Sequence, residues 1–259
     1  MRKTMFRPED GIVWITGASS GIGRALALHL AGKGYRVAVT ARSHDALYEL
    51  QREAGALAGQ IIVLEGDVTS SADMARVVAS IEYDHGPLLT AVLNAGIWLP
   101  VRGKDLHLAD FEKTFAVNLS GVVNCLLPAV EAMKKHGQGH VAIVSSVTGY
   151  GGLPSSAAYG ATKAALINMA ESLKFDFDRM NIKLQVINPG FVETAATARN
   201  TFAMPAIMPA EKAAEAIADG MNGNGFEITF PKRFTYMLKL LRLLPYGLYF
   251  PAVRKITRW

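Results

Sequence analysis

The apolar residues of this 259-residue chain fall into short runs that alternate with longer amphipathic stretches. The runs predict strands at 11–15, 36–40, 60–65, 89–93, 140–144, 183–187 and 226–230. A helical period predicts helices at 21–33, 44–54, 71–85, 110–136, 157–179 and 210–222. Strands that are apolar throughout fit a parallel sheet covered on both faces. The pattern therefore predicts a three-layer, doubly wound α/β fold with a sheet of about seven strands and helices on both faces.

A glycine-rich turn follows the first predicted strand. Residues 16–23 read Thr-Gly-Ala-Ser-Ser-Gly-Ile-Gly, and residues 24–31 continue as a helix. Strand, turn and helix in this order form a dinucleotide-binding unit of the Rossmann type, because glycines admit a pyrophosphate and the helix N-terminus offers it free N–H groups. The spacing Gly-x-x-x-Gly-x-Gly is more selective than three glycines alone. In such sheets ligands bind beyond the carboxyl ends of the strands.

A phenol and an ammonium are four residues apart in the predicted helix 157–179. Tyr159 and Lys163 therefore lie on the same helix face. A tyrosine normally loses its proton near pH 10, and a neighbouring cation favours the phenolate. We expect Lys163 to lower the pKa of Tyr159 and make the phenol a general acid/base. Tyr and Lys also meet on helix faces by chance, so the pair alone does not decide the matter.

Several short motifs, taken together in their order and separation, resemble the short-chain dehydrogenase/reductase superfamily in its short single-domain branch. The resemblance runs from about Gly11 to Pro231, and one departure is Leu93, where members usually have a second Asn. The motifs that carry it are TGASSGIG at 16–23, Asp67-Val68, Asn94-Ala95-Gly96, Asn118, Ser145-Ser146, Tyr159-x-x-x-Lys163 and Pro189-Gly190. The resemblance implies an oxidoreductase that transfers a hydride between a nicotinamide and a carbonyl or alcohol carbon.

The resemblance implies a role for each catalytic residue. Tyr159 passes a proton to or from the substrate oxygen, Lys163 lowers its pKa and binds the nicotinamide ribose, and Ser146 holds the substrate oxygen. Asn118 orders a water for the proton relay, or is a buried, satisfied polar group in an apolar helix. Ser145 precedes Ser146 directly. Because neighbours on a strand point to opposite sides, we expect only one of the two serines to face the pocket.

The end of the second predicted strand bears on the choice of dinucleotide. An Asp or Glu there suits NAD, whereas a basic residue suits the extra phosphate of NADP. Ala41-Arg42-Ser43 follows Thr40 without an acid. Arg42 therefore favours NADP(H), with NAD(H) possible and a solvated surface arginine as the alternative.

By the resemblance, the residues expected to bind the cofactor are Gly17, Ser19, Ser20, Gly21, Ile22, Gly23, Arg42, Asp67, Val68, Asn94, Ala95, Gly96, Tyr159, Lys163, Pro189, Gly190, Val192 and Thr194. Within that set Asp67 and Val68 are expected at the adenine and Asn94 near the adenosine-side ribose. Val192 would offer backbone groups, and Thr194 its hydroxyl, to the nicotinamide. Without the resemblance, Asp67 is equally a turn residue after a strand.

The substrate is less well specified. Residues 195–209 form a long, apolar, methionine-bearing loop, which predicts a mobile lid. Apolar residues expected at the pocket mouth are Trp98, Tyr150, Leu153 and Phe191. They favour an apolar carbonyl or alcohol substrate, but the same residues also suit ordinary packing.

Composition fits a soluble, cytoplasmic enzyme. Half of the residues are apolar, enough to bury a large core in one domain, here residues 1–231. Cys125 is the single cysteine and lies in an apolar stretch, so no disulfide can form within the chain, which suits a reducing compartment. The six histidines show no ligand spacing, so no metal site is predicted. Residues 1–8 have no apolar run and do not predict a signal peptide.

The C-terminal extension, residues 232–259, is basic and amphipathic. No acid follows Glu227, whereas the extension contains the cations Lys232, Arg233, Lys239, Arg242, Arg254, Lys255 and Arg258. Without these seven charges the chain's net +5 becomes −2, so the basic character belongs to the extension. It does not indicate a nucleic-acid groove, and no nucleic-acid partner is predicted.

The extension is predicted to contain a helix at 233–244. Residues expected on its apolar face are Met237, Leu240, Leu241 and Leu244, with Lys239 and Arg242 opposite. Residues 245–251 add apolar and aromatic surface, and the longest charge-free run, 243–253, is shorter than the about 20 residues that span a bilayer. We expect the extension either to lie peripherally on the inner face of a membrane or to pack on its own pocket, its subunit or a partner.

Two function classes remain in view: an oxidoreductase, and a cofactor-binding relative that senses or scaffolds without turnover. The intact set of Asn118, Ser146, Tyr159 and Lys163 favours the oxidoreductase. Members of the resembled family usually pair through the helices that hold Asn118 and Tyr159. A homodimer or homotetramer is therefore expected.

Overall fold

The computed structural model describes residues 6–195, 197–199 and 204–257. The strands are β1 (Ile12–Thr16), β2 (Arg36–Thr40), β3 (Gln60–Val63), β4 (Leu88–Leu93), β5 (Gly139–Val144), β6 (Ile182–Pro189) and β7 (Glu227–Phe230). The α-helices of the described residues are α1 (Gly21–Gly32), α2 (His44–Glu53), α3 (Ser71–Ser80), α4 (Leu108–Phe115), α5 (Gly121–Lys135), α6 (Ala157–Arg179), α7 (Ala210–Asn222), α8 (Lys232–Arg242) and α9 (Tyr246–Thr257).

The strands form one sheet in the order β3-β2-β1-β4-β5-β6-β7. Every neighbouring pair is parallel. From β1 the chain first builds outward to β3, and then crosses back to start again at β4. The carboxyl ends of β1 and β4 therefore open a crevice, which is where ligands bind in sheets of this kind. The predicted doubly wound fold with about seven strands is confirmed.

Helices cover both faces of the sheet. On one face α1, α2 and α7 enclose a core around Leu26, Leu47 and Ile217. On the other, α3, α5 and α6 enclose a second core that includes Cys125 and Leu166. Burial raises the pKa of the Cys125 thiol, as is usual for a structural cysteine in apolar surroundings. Strands covered in this way are mostly apolar, which makes them recognisable in the sequence, although β6 also buries Lys183, Gln185 and Asn188.

The two predicted helices 71–85 and 110–136 are less regular than their sequences suggest. Ile81–His85 and Ala116–Ser120 are π-helical turns that end α3 and separate α4 from α5. Such widened turns are rare and often accompany functional sites. The continuous run Leu108–Lys135 is long and apolar enough to cross a membrane, but 50% of its most apolar window is buried in the fold.

The C-terminal helices α8 and α9 fold back onto the rest of the chain. Phe234 and Leu238 of α8 pack against Val147 in a third apolar cluster. The Tyr249 hydroxyl of α9 donates a hydrogen bond to the Gly152 carbonyl at 2.8 Å. The inner side of the extension is therefore part of the folded protein.

The buried face of α8 differs from the predicted one. Phe234 and Leu238 are buried and Leu241 is half-buried, whereas Leu240 is 66% exposed and Met237 37% exposed. Residues 234, 238 and 241 have the spacing of one helix face. The predicted apolar face of Met237, Leu240, Leu241 and Leu244 is therefore divided: Leu241 turns toward the fold and Leu240 toward solvent.

Glu227 attaches α8 to the edge of the sheet. Its Oε1 accepts hydrogen bonds from the Tyr150 hydroxyl at 2.5 Å and the Asn188 amide at 2.7 Å, and its other oxygen pairs with Lys239. Burial opposes ionisation, but the hydrogen bonds from Lys239, Tyr150 and Asn188 hold the pKa of Glu227 below its usual value. One expectation is thereby corrected, because Tyr150 does not line the cavity described below. Lys239, one of the cations of the extension, is paired with an acid.

Candidate active site

A cavity of about 1290 Å³ opens at the carboxyl edge of the sheet. Its volume exceeds the roughly 300–1,000 Å³ of pockets for drug-sized ligands, which leaves room for a dinucleotide and a second molecule. Of the predicted site residues it is lined by Gly17, Ser19, Ser20, Gly21, Ile22, Arg42, Asp67, Val68, Asn94, Ala95, Gly96, Ser146, Tyr159, Lys163, Pro189, Gly190, Val192 and Thr194. Gly23 and Asn118 lie behind its wall.

Hydrogen bonds between Thr16 and Asn94 join the ends of β1 and β4. The Thr16 hydroxyl accepts from the backbone N–H groups of Asn94 at 3.0 Å and Ala95 at 3.1 Å. The Asn94 amide donates in return to the carbonyls of Thr16 at 3.0 Å and Gly17 at 3.2 Å. Asn94 thus positions the glycine turn as well as lining the pocket. Sequence reasoning missed Thr16, whose only signal was its place before the first glycine.

The glycine turn brings backbone against backbone. Gly17 and Gly21 have φ values of 67° and 55°, which side-chain-bearing residues rarely adopt. A Cβ at Gly17 would lie 2.7 Å from Ala95 Cα, and one at Gly23 would lie 2.5 Å from the Gly17 carbonyl oxygen. Gly23 was predicted to bind the cofactor, but it lies behind the turn and lets α1 pack closely against it.

The first turn of α1 is suited to a phosphate. The Ser20 side chain forms no capping hydrogen bond with the helix, and the first turn contains no acid. The free N–H groups and the positive end of the helix dipole therefore remain available to an anion. Together with the close backbone approach at Gly17 and Gly21, this fits the pyrophosphate of a dinucleotide.

Arg42 lies at the cavity rim directly after β2. Its side chain is exposed and lines the cavity. Within residues 6–195, 197–199 and 204–257, it forms no ion pair with an acid. A guanidinium without a partner at this place is available to a ligand anion.

Asp67 and Val68 follow the third strand and are held by the protein itself. The Asp67 carboxylate accepts from the N–H of Thr69 at 2.9 Å and from its hydroxyl at 2.8 Å. The Val68 carbonyl accepts from the Asn124 amide at 2.9 Å. Asp67 is therefore a turn residue that also lines the cavity, and its expected contact with the adenine stays a prediction.

Ser146, Tyr159 and Lys163 meet at the centre of the cavity. The Ser146 hydroxyl lies beside the Tyr159 phenol. The Lys163 ammonium lies 5.5 Å from the centroid of the Tyr159 ring and donates to the Val144 carbonyl at 2.8 Å. Lys163 is buried, whereas Tyr159 keeps part of its surface open to the cavity.

The pKa values in this group differ from the sequence prediction. Burial raises the pKa of Tyr159 above its ordinary value, and the hydrogen bond from Ser146 only partly offsets this. Burial lowers the pKa of Lys163 to about 8. The predicted lowering of the Tyr159 pKa by Lys163 therefore does not hold in the protein alone, because loss of solvent outweighs an ammonium 5.5 Å from the ring. Tyr159 is a neutral phenol, ready to donate a proton.

The two adjacent serines have different surroundings. Ser145 donates its hydroxyl hydrogen to the Lys163 carbonyl at 2.7 Å and so anchors α6 to the end of β5. Ser146 has its hydroxyl beside Tyr159, and it also accepts from the Thr148 N–H at 3.2 Å. Ser146 is thus the serine placed to hold a substrate oxygen, although both contribute surface to the cavity.

Asn118 is fully buried in the π-helical turn between α4 and α5. Its side-chain oxygen accepts from the Ile97 N–H at 2.8 Å, and its amide donates to the Ile97 carbonyl at 2.8 Å. The side chain therefore fixes the segment after β4. Its predicted role in ordering a water stays a prediction.

The segment after β6 runs beside the glycine turn. The Val192 carbonyl accepts from the Thr197 hydroxyl at 2.6 Å, and the Thr194 N–H donates to the same hydroxyl at 2.9 Å. A Cβ at Gly21 would lie 2.9 Å from the Thr194 methyl group. Of the predicted lid 195–209, residues 196 and 200–203 lie outside the described part of the chain, while Met204 and Pro205 line the cavity.

The wall opposite the glycine turn is apolar and comes largely from the C-terminal extension. Of the residues predicted at the mouth, Trp98, Leu153 and Phe191 line it. The lining residues from α8 and α9 are Phe234, Met237, Leu238, Leu241, Val253, Ile256 and Thr257. Sequence reasoning named the pocket as one of several places for the extension but identified none of these contacts.

A second part of the wall was missed entirely. The Arg102 Nε donates to the Ser155 hydroxyl at 3.2 Å, and both residues line the cavity. Ser155 has φ of 60°, an uncommon conformation for a residue with a side chain. The chain turns here into α6, two residues before the helix begins. No sequence motif predicts such a contact, because it joins distant segments of the chain.

The family model for short chain dehydrogenase matches residues 11–204. The chain belongs to the short-chain dehydrogenase family. Short-chain dehydrogenases use NAD(P), and this one is an oxidoreductase that acts on an alcohol or carbonyl group. The family resemblance seen in the sequence is confirmed.

Individual short-chain dehydrogenases show how far the similarity extends. An uncharacterized oxidoreductase of Myxococcus xanthus (strain DK1622) is 33% identical over 242 residues, covering 93% of this chain and 96% of the relative. A crystal structure of a 3-ketoacyl-ACP reductase from Sinorhizobium meliloti 1021 has a TM-score of 0.73 and 29% identity, covering 85% of this chain and 96% of that one. A structure of ElxO with NADP bound has a TM-score of 0.76 and 25% identity, with coverage of 85% and 97%.

Replacing Tyr159 with phenylalanine removes the phenol hydroxyl and keeps the ring. We expect turnover to fall at least about a hundredfold, the lower end for loss of a general acid/base. Cofactor affinity should be unchanged, because the aromatic ring at position 159 and its packing are retained. Turnover is followed by NADPH consumption and affinity by fluorescence titration. Ser146→Ala should also lower turnover, with Ser145→Ala as the adjacent control that does less. Normal turnover in Tyr159→Phe would refute the assignment.

Replacing Lys163 with methionine tests the lowered pKa through stability. The folded-state pKa of about 8 lies below the ordinary lysine value of 10.5, so the unfolded chain binds this proton more tightly. The resulting cost to folding is fully present below pH 8 and disappears as the pH approaches 10.5. Wild type should therefore gain up to about 3 kcal/mol relative to Lys163→Met across that window.

Urea unfolding without cofactor at pH 7, 9 and 10 measures this difference. Lys183, whose pKa burial also lowers to about 8, is present in both proteins and cancels in the comparison. A difference in stability that stays constant with pH would show that Lys163 titrates normally.

Proposed function

We propose that this short-chain dehydrogenase is an NADP(H)-dependent reductase that converts a carbonyl of an apolar substrate to an alcohol. The observation that carries the proposal is that Ser146, Tyr159 and Lys163 line one cavity together with the phosphate-suited glycine turn and the apolar residues of α8 and α9. An intact set of Ser146, Tyr159 and Lys163 favours turnover over a sensor or scaffold role.

The proton chemistry follows from the surroundings of Tyr159. Bound NADPH supplies the hydride. Ser146 and Tyr159 both present hydroxyl groups to one point in the cavity, so a carbonyl oxygen there accepts a hydrogen bond from each. Negative charge develops on that oxygen as the reaction proceeds, and preorganised donors stabilise it. Tyr159 then gives up its proton to the oxygen and becomes a phenolate.

Lys163 stabilises the phenolate at that moment. Burial disfavours the charged form of each residue when it is alone, as the directions of their pKa shifts show. A phenolate and an ammonium in the same dry site offset that cost for one another. With a pKa of about 8, Lys163 is mostly protonated at neutral pH and provides the cation when it is needed.

Arg42 supports the preference for NADP(H). It is exposed at the rim, directly after β2, where the second ribose of a dinucleotide on the α1 N-terminus lies. A guanidinium there can form charge-assisted hydrogen bonds with a ribose phosphate. The ElxO structure with NADP bound, at 25% identity, is consistent with this choice.

The apolar wall supports an apolar substrate. Phe191, Phe234, Leu238 and Leu241 surround the space beyond Tyr159 with hydrocarbon. An alkyl chain gains about 0.8 kcal/mol for each buried CH₂ group. The Sinorhizobium meliloti relative is named as a 3-ketoacyl-ACP reductase. We therefore propose straight-chain ketones and 3-oxoacyl thioesters as the first substrates to assay.

We also propose a homodimer or homotetramer built on the outer faces of α4, α5 and α6. These faces carry exposed apolar residues that the chain itself does not cover. Phe115 is 39% exposed, Leu127 62% and Phe175 76%. Pairing through these helices would bury them next to the elements that hold Asn118 and Tyr159.

Replacing Arg42 with alanine should weaken NADPH binding by about ten- to a hundredfold and leave NADH binding nearly unchanged. A charge-assisted hydrogen bond contributes roughly 1.5–3 kcal/mol. Fluorescence titration of both cofactors measures it, with Arg179→Ala as a control because Arg179 is exposed at the distant end of α6. Equal losses for the two cofactors, or a wild-type preference for NADH, would contradict the proposal.

A substrate series of increasing chain length tests the apolar wall. We expect kcat/KM to rise about fourfold per added methylene until the apolar part of the cavity is filled. Leu241→Asn should flatten this dependence, because Leu241 lines the cavity. The matched control is Leu106→Asn, at a leucine that is 60% exposed outside the cavity. No dependence on length in wild type would exclude an apolar binding mode.

A further inference from the structure

The outer face of the C-terminal extension is hydrophobic. At the turn between α8 and α9, Leu243 is 79% exposed, Tyr246 62% and Leu248 61%. Leu240 at 66% and Phe250 at 54% extend this surface onto the two helices. Water-exposed apolar patches of this kind mark interaction sites more often than single exposed leucines do.

The same two helices also carry exposed cations. Lys232 and Arg233 are exposed at the start of α8, and Arg254 and Lys255 are exposed near the end of α9. Among the described residues none of these four forms an ion pair. No acid follows Glu227 in the sequence to offset them. Arg258, another cation of the extension, lies outside the described residues.

The inner face of the extension forms part of the cavity wall. Phe234, Leu238, Leu241 and Val253 turn inward and line the cavity. The extension is therefore one layer thick: one side forms the wall of the pocket, and the other side is the exposed apolar and cationic surface.

We propose that the outer face of α8 and α9, defined by Leu240, Leu243, Tyr246, Leu248 and Phe250, docks on the anionic surface of a membrane. Apolar side chains enter the boundary between headgroups and acyl chains, and the flanking cations meet anionic headgroups. This inference rests on the proposed function. Docking in this orientation places the apolar wall of the pocket next to the lipid phase in which an apolar substrate dissolves.

Charge complementarity selects the membrane over the other occupants. A second copy of the chain would bring the same cations against themselves, which like-charge repulsion opposes. An anionic polymer such as a nucleic acid would pair with the cations but leave the leucines and aromatic rings in water. An anionic bilayer satisfies both features. The extension lies on it without spanning it, because α8 and α9 are too short to cross the hydrocarbon core.

Co-sedimentation of the full-length protein with vesicles tests the proposal. We expect binding to vesicles that contain phosphatidylglycerol and much weaker binding to pure phosphatidylcholine. Raising the salt concentration should weaken the former, because salt screens the headgroup charge. Absence of binding to anionic vesicles, or equal binding to both kinds, would overturn the proposal.

Two sets of variants locate the surface. Leu243→Glu/Leu248→Glu should abolish vesicle binding, whereas the control Tyr83→Glu/Leu106→Glu adds the same charge at distant exposed sites and should not. Arg254→Ala/Lys255→Ala should weaken binding to anionic vesicles about twenty-fivefold, at about fivefold for each cation. Equal losses in the control pair would show that net charge alone governs binding and would overturn the assigned surface.

Two further measurements keep the outcome interpretable. NADPH affinity, which should be unchanged in every variant, reports that the fold is intact even where vesicle binding is lost. Light scattering gives the solution mass; if Leu243→Glu/Leu248→Glu reduces that mass and wild type binds no vesicles, the outer face joins copies of this chain and the proposal fails. Neither readout depends on turnover, so a failed substrate assay and a failed docking assay remain distinct results.

Discussion

The reversal of strand order between β1 and β4 is the constraint on which the site depends. It opens a crevice in which a long ligand can lie across the carboxyl ends of the strands, and the hydrogen bonds between Thr16 and Asn94 hold its two sides at a fixed spacing. The glycines of the first turn then bring the backbone against Ala95. With that edge fixed, β5 and α6 need only deliver their side chains to a position already defined.

Burial of Tyr159 and Lys163 disfavours the charged form of each side chain. Lys163 is buried, and its ammonium donates a hydrogen bond to the Val144 carbonyl. Burial lowers the pKa of Lys163 and raises the pKa of Tyr159, so both shifts favour the uncharged form. In the proposed reaction, a phenolate formed at Tyr159 beside the Lys163 ammonium offsets part of this cost for both charges.

The fold and most of the site residues could be predicted from the sequence, because they rest on local patterns. Most of the buried parallel strands are apolar runs, the glycine turn has a fixed spacing, and Tyr159 and Lys163 share a helix face. What could not be predicted depends on contacts between distant segments. Thr16 is defined by its bonds to Asn94, the direction of the Tyr159 pKa shift by the depth of its burial, and the inner face of α8 by the cluster around Val147.

The cavity is lined by two separate parts of the sequence, and α8 and α9 form the second part. The family model ends at residue 204, whereas much of the apolar wall comes from residues 234–257. In the proposed function, the residues placed to move the proton lie in the part of the chain that the family model covers, whereas much of the apolar wall lies beyond it. The two parts are joined where Glu227 meets Lys239 and where Phe234 and Leu238 pack against Val147. Substitutions on the inner face of α8 and α9 therefore change the shape of the apolar wall without replacing a residue of the proposed proton transfer.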